Sequence, residues 1–181
     1  MWDDPGPVDV PSIDSLLDAL ASAEPAPGSG SAAALAGAMA AAVCAKAARL
    51  SGDGGTTAQA AALRRRLTAL AEDDARVFRS ALAELERRDD DFKLGRALQH
   101  AADLPLQIAE VCADVVELAT ALAHSAVPEL QADARAAAAI AAGATRAAAG
   151  LVETNLTVTE DDGRARLARK LCDQVEEAVR A

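Results

Sequence analysis

Two aspartates and an asparagine stand where apolar side chains are expected. Leu63, Leu67, Leu70, Asp74, Val77 and Ala81 step by four and three residues, a coiled-coil-like seam that Asp74 interrupts. Leu130, Asp133, Ala137, Ile140, Ala144, Ala148, Leu151, Asn155 and Val158 repeat the pattern, with Asp133 and Asn155 on the stripe. A buried carboxylate without a partner is costly or takes up a proton, so each needs a partner or a task. Polar groups on inward seams of a bundle can line one site between helices and exchange protons there. Structural roles stay open at this point: Asp133 can cap a helix that begins after Pro128, and Asp74 can pair with an arginine of a neighbouring helix.

The run Gly28-Ser29-Gly30-Ser31 is the other candidate. Glycines admit close backbone approach and positive φ, and the free N–H groups of a helix start attract anions. It lacks the lysine and Ser/Thr of a P-loop, and plain turn chemistry also explains it. His100 and His124 have no metal-ligand spacing, and no G-x-S-x-G context is present. No metal is therefore expected, and chelators should leave the protein unchanged.

The elements that must position these groups read as helices. Of 181 residues 51% are hydrophobic, yet Tyr is absent and only Trp2, Phe78 and Phe92 are aromatic. An Ala/Leu/Val core suits helices, which pack closely on alanine, and suits sheets poorly. Residues 1–11 read as a flexible arm, and 12–181 as a single helical domain. Ser12 caps a short first helix with an Ile13, Leu16, Leu17, Leu20 stripe, which Pro25, Pro27, Gly28 and Gly30 end. A second runs from near Ser31 to Leu50 with a smooth Ala33, Gly37, Ala41 ridge. A third spans about 56–88, and Asp89 to Asp91 marks its exit. The fourth, about 93–124, is expected to break at Pro105 and restart with Asp103 as its cap. Ser125 to Pro128 is the next break, a fifth helix then runs to about Thr159, and a sixth carries Leu167, Leu171, Val175 and Val179. The fold class is all-α, an antiparallel bundle of about six helices.

A net charge of −10 disfavours nucleic acid and anionic membrane surfaces as partners, and Arg64, Arg65 and Arg66 read as a solvated face. Cys44, Cys112 and Cys172 are scattered, as small buried hydrophobes in a reduced compartment would be. No secretory signal is visible, and the uncharged apolar run Ala32 to Ala45 is shorter than the ~20 residues of a membrane span. The expected location is cytoplasmic.

The order of the segments carries a resemblance. Pro25-Ala-Pro-Gly-Ser-Gly-Ser-Ala-Ala-Ala-Leu35 is similar to the P-T-P-G-G-G-S-x-A-A-L signature of the formiminotransferase-cyclodeaminase/methenyltetrahydrofolate cyclohydrolase family. Asp74-Ala-Arg-Val-Phe78 resembles its D-x-x-A-F, Ala102-Asp-Leu-Pro-Leu106 its A-x-x-V-P-L, Ala132-Asp133 its S-D, and Thr154-Asn-Leu156 the end of its N-V-x-I-N-L. The resemblance implies a helical homodimer binding a tetrahydrofolate derivative as its small-molecule substrate, with no further cofactor. The reaction would open methenyltetrahydrofolate with water (a hydrolase) or close formiminotetrahydrofolate with loss of ammonia (a lyase). It would place Asp74 and Asp133 as acid/base and charge-stabilising groups. Gly28, Ser29, Gly30, Ser31 and Asn155 would bind substrate. The sequence departs from the family pattern at Ser29, at Ser125 to Pro128, at Ala132 and at Leu151. Two other readings are a relative repurposed for another amidine or imine, and a non-catalytic helical dimer binding a small molecule or protein.

Overall fold

A computed structural model describes residues 12–87, 91–156 and 162–180, with side chains for all of these except 81–100. The expected arm 1–11, Asp89, Asp90 and the Val158 end of the second seam lie outside the described residues, as do the side chains of Ala81 and His100. Six helices make up the described chain: α1 (Ile13–Ala21), α2 (Ser29–Leu50), α3 (Gly54–Arg87), α4 (Asp91–Ser125), α5 (Pro128–Asn155) and α6 (Gly163–Arg180). They form the all-α bundle the composition requires.

α2 packs against α3, α4 and α5. Ala33, Gly37 and Ala41 are buried along its ridge. A Cβ at Gly37 would stand 2.4 Å from the Cys112 sulfur of α4 and 3.1 Å from Leu67 of α3, so three helices meet where only glycine fits. Ser51 caps its end, and Gly52 follows in the left-handed region at φ 76°. α2 is long and apolar enough to cross a membrane by length and composition, but 61% of its most apolar window is buried inside this bundle. Cys44 and Cys112 are buried, and burial pushes their thiols up to about 11 and about 12. Cys172 is half-buried.

α5 runs antiparallel to α2: Cys44 and Ala47 share a core cluster with Ala134 and Ala137, while Gly30 meets Asn155 at the other end. α5 ends at Asn155 with Leu156 as its C-cap, short of Thr159.

Three expectations are corrected. α4 does not break: Pro105 sits inside a continuous helix, and Asp103 pairs with Arg164 of α6 at 2.6 Å instead of capping a restart. The stripe of α1 is largely exposed among the described residues, with Ile13 77% and Leu17 55% exposed, although Ser12 caps the helix as expected. Ile140 of the α5 seam also faces out, 43% exposed.

Candidate active site

α2 begins in the glycine-rich run, with Gly28 as N-cap and Ser29, Gly30 and Ser31 in its first turn. The first N–H groups of a helix have no partner within it. The N–H and hydroxyl of Ser31 both serve Asp74, which reaches across from α3. Its side-chain oxygen lies 3.0 Å from Asp74 Oδ2 and 3.0 Å from the carbonyl of Ala71. Asp74 therefore takes the place of a side-chain cap for α2, which has none of its own. Its partner is this serine and not an arginine.

Gly30 lies directly against that carboxyl group. A Cβ there would come within 2.3 Å of Oδ1 and 2.6 Å of Cγ. The glycine is needed for this approach and not for positive φ, since Gly52 is the positive-φ glycine among the described residues. Burial raises the Asp74 carboxyl above the usual carboxylate range, and the hydrogen bonds from Ser31 pull it part of the way back.

Around Asp74 opens a cleft of about 190 Å³. Gly28, Ser29 and Gly30 form one wall, Asp74, Val77 and Phe78 a second, and Ala101, Leu104 and Pro105 of α4 a third; Leu151 and Asn155 of α5 close it. Pro105 cannot donate to the Ala101 carbonyl, the bond its position would normally make. Asn155 Nδ2 donates to that carbonyl instead, at 2.9 Å. The amide is thus held by α4 while its residue lines the cleft.

Of the seven residues singled out in the sequence, five meet here: Gly28, Ser29, Gly30, Asp74 and Asn155. Two do not. Ser31 is 1% exposed behind Asp74, so it serves the carboxylate and does not line the cleft. Asp133 sits half-buried in the second turn of α5, which starts at Pro128 with Val127 as its cap, so Asp133 caps nothing. At the helical rise it is about 33 Å along the axis from Asn155. Val77, Phe78, Leu104, Pro105 and Leu151 had not been assigned to a site. All five lie inside the quoted D-x-x-A-F and A-x-x-V-P-L segments or at a noted departure, and that was the available signal.

Larger grooves of about 360 and 690 Å³ lie along α4 elsewhere, lined by Arg66, Asp114 and Glu117. Burial raises the Asp114 carboxyl and the Arg66 charge opposes it, while Arg64 and Arg65 are exposed. No group of three or more potential metal ligands occurs among the described residues.

The sequence profile described as formiminotransferase-cyclodeaminase matches residues 12–174. The chain belongs to this family. A methenyltetrahydrofolate cyclohydrolase of Methylorubrum extorquens is 33% identical over 132 residues, which cover 62% of this chain and 64% of that relative. The crystal structure of formiminotetrahydrofolate cyclodeaminase from Thermotoga maritima superposes with a TM-score of 0.80 at 22% identity, over 93% of this chain and 90% of the other, and shows a common fold. In this chain the glycine-rich run and the Asp74 to Phe78 segment line one cleft.

Proposed function

We propose that this chain is a folate one-carbon enzyme, a methenyltetrahydrofolate cyclohydrolase or a formiminotetrahydrofolate cyclodeaminase. The observation that carries the proposal is Asp74, a half-buried carboxyl group at the start of α2 and in the wall of the cleft. Both reactions pass through carbon flanked by two nitrogens and carrying positive charge. A carboxylate beside that carbon stabilises the charge. In the hydrolytic direction Asp74 takes a proton from the attacking water as the C–O bond forms. The proton then goes to the nitrogen whose C–N bond breaks, and the remaining hydroxyl proton leaves to solvent as the formyl C=O forms. In the deaminating direction the same group protonates the departing amine. Phe78, 42% exposed at the rim, and the apolar side chains of Val77 and Leu104 offer a surface to a flat heterocycle. No metal or nucleotide takes part in these steps.

A second copy of the chain belongs to the proposal. α2 carries Met39, 62% exposed, α5 carries Ile140, 43% exposed, and Gly143 and Gly150 of α5 have open space over their Cα atoms. A cleft of about 190 Å³ is smaller than the ~300–1,000 Å³ that encloses a whole ligand. A two-fold axis crossing the surface near Met39 exchanges the two ends of α5. Such an axis would bring Asp133 of the second copy to the level of Gly30. Met39→Glu, followed by light scattering, tests the face: a monomer is expected, and an unchanged dimer overturns the assignment.

One observation favours a second reading, a relative repurposed for another small amidine or imine. Leu151 makes part of the cleft wall apolar where the family pattern carries asparagine. Loss of methenyltetrahydrofolate absorbance and ammonia release from formiminotetrahydrofolate, measured on the purified chain, decide between them. Turnover of either supports the folate reading. Binding and turnover of neither overturns it in favour of the second.

A further inference from the structure

Ser31 is buried with more acceptors than it has protons. Its hydroxyl carries a single hydrogen. Two oxygens lie 3.0 Å away, Ala71 O and Asp74 Oδ2, and both are placed to receive it. The Ala71 carbonyl already has its own partner in α3, four residues on, and a second lone pair to offer. At 1% exposure Ser31 has no room to turn to water.

The arrangement is satisfied in two ways. With Asp74 ionised, the Ser31 hydroxyl and N–H both donate to the carboxylate. With Asp74 protonated, the acid donates to Ser31 Oγ, and the hydroxyl turns its hydrogen to Ala71 O. Neither state leaves a buried polar atom unpaired, which is otherwise costly.

We propose that Ser31 is a positioning residue that switches its hydroxyl between Asp74 and Ala71, so that Asp74 holds one place as both acid and base. The proposal rests on the reading of Asp74 as the acid–base group of a folate site.

Several of the described charged groups on the helices around Asp74 have partners of their own. Asp73 pairs with Arg76 on α3, Asp103 of α4 with Arg164, and Glu153 of α5 with Arg169. α2 carries no charged residue before Lys46. Among the described residues burial and Ser31 are what act on this carboxyl group. The serine does the work that a lysine or arginine would do elsewhere, without fixing the group in its ionised form.

The test is Ser31→Ala in the full chain, with Ser31→Cys as a second variant whose thiol is a weak donor and acceptor. Folding is checked by circular dichroism. The readout is the titration of the Asp74 carboxyl carbon by NMR in aspartate-labelled protein without substrate, with the resonance assigned by its loss in Asp74→Asn. Hydrogen bonds to a charged group are stronger than those to a neutral one. Removing the hydroxyl therefore costs the ionised state more, and the midpoint should rise by roughly one pH unit. The acid limb of turnover should move with it. An unchanged or lowered midpoint in a folded variant overturns the switch. If the wild-type chain turns over neither folate, the functional reading fails while the carboxyl titration still decides the fate of the switch.

Discussion

A Gly30→Ala substitution adds one methyl group, and the position of Asp74 decides where it goes. The new Cβ would stand 2.3 Å from Oδ1 and 2.6 Å from Oδ2, where ordinary contact begins at 3.4 Å. The carboxyl group must retreat by about 1 Å, a displacement that can cost an active site ~10²-fold in rate. Stability should change less. Overpacking costs ~1–3 kcal/mol, and exchanging glycine for alanine within a helix returns up to ~1 kcal/mol. A folded protein with a lower melting temperature and about one-hundredth of the turnover is expected. Gly28→Ala is the matched control in the same loop, because its Cβ would meet only the Pro25 carbonyl at 3.8 Å and its φ of −120° suits any residue. The assay is loss of methenyltetrahydrofolate absorbance, with thermal melting on the same samples. Gly30→Ala turning over within threefold of Gly28→Ala would refute the close approach as the reason for the glycine.

Asp74→Asn should keep the fold, because the amide can accept from Ser31 N–H and donate to Ser31 Oγ, while turnover falls ~10²-fold or more; normal turnover ends the acid–base assignment. The same variant should flatten one part of the stability profile. The raised carboxyl holds a proton in the folded chain that the unfolded chain has lost, so wild-type stability declines as pH climbs above the ordinary aspartate value. Asp162 has the opposite sign. Arg164 holds it down to about 2, so its contribution is complete above about pH 4 and fades as pH falls towards 2. Urea titrations of Arg164→Gln over that window should show a shallower slope than wild type, and equal slopes would contradict the pairing. Asn155→Ala should cost ~1–3 kcal/mol by orphaning the Ala101 carbonyl. In a Pro105→Ala background the restored N–H takes that carbonyl, and the cost should shrink; purely additive melting data would count against the account.

The helices and five of the residues that line the cleft were legible in the sequence alone. Period and capping are local: Ser12 caps α1, the Leu63, Leu67, Leu70 seam predicts which side of α3 is buried, and Asp74 is conspicuous because it breaks that seam. The Gly28 to Ser31 run is equally visible, since glycine and proline punctuate a helix wherever they stand. What each residue touches was decided by the tertiary structure. Pro105 reads as a break because the local cost of a missing N–H is known, while the compensation comes from Asn155 of another helix, which donates to the Ala101 carbonyl, and no local window contains both. Asp103 reads as a cap for the same local reason, yet α6 brings Arg164 to it. Gly30 reads as a turn residue, and only the crossing of α2 and α3 shows that it makes room for a carboxyl group. Asp133 and Asn155 share a stripe in sequence, but a straight helix holds them at opposite ends, so one chain cannot bring them together. Periodicity fixes the side of a helix on which a residue lies. The partner it meets there depends on how the helices cross, which is a property of the packed whole.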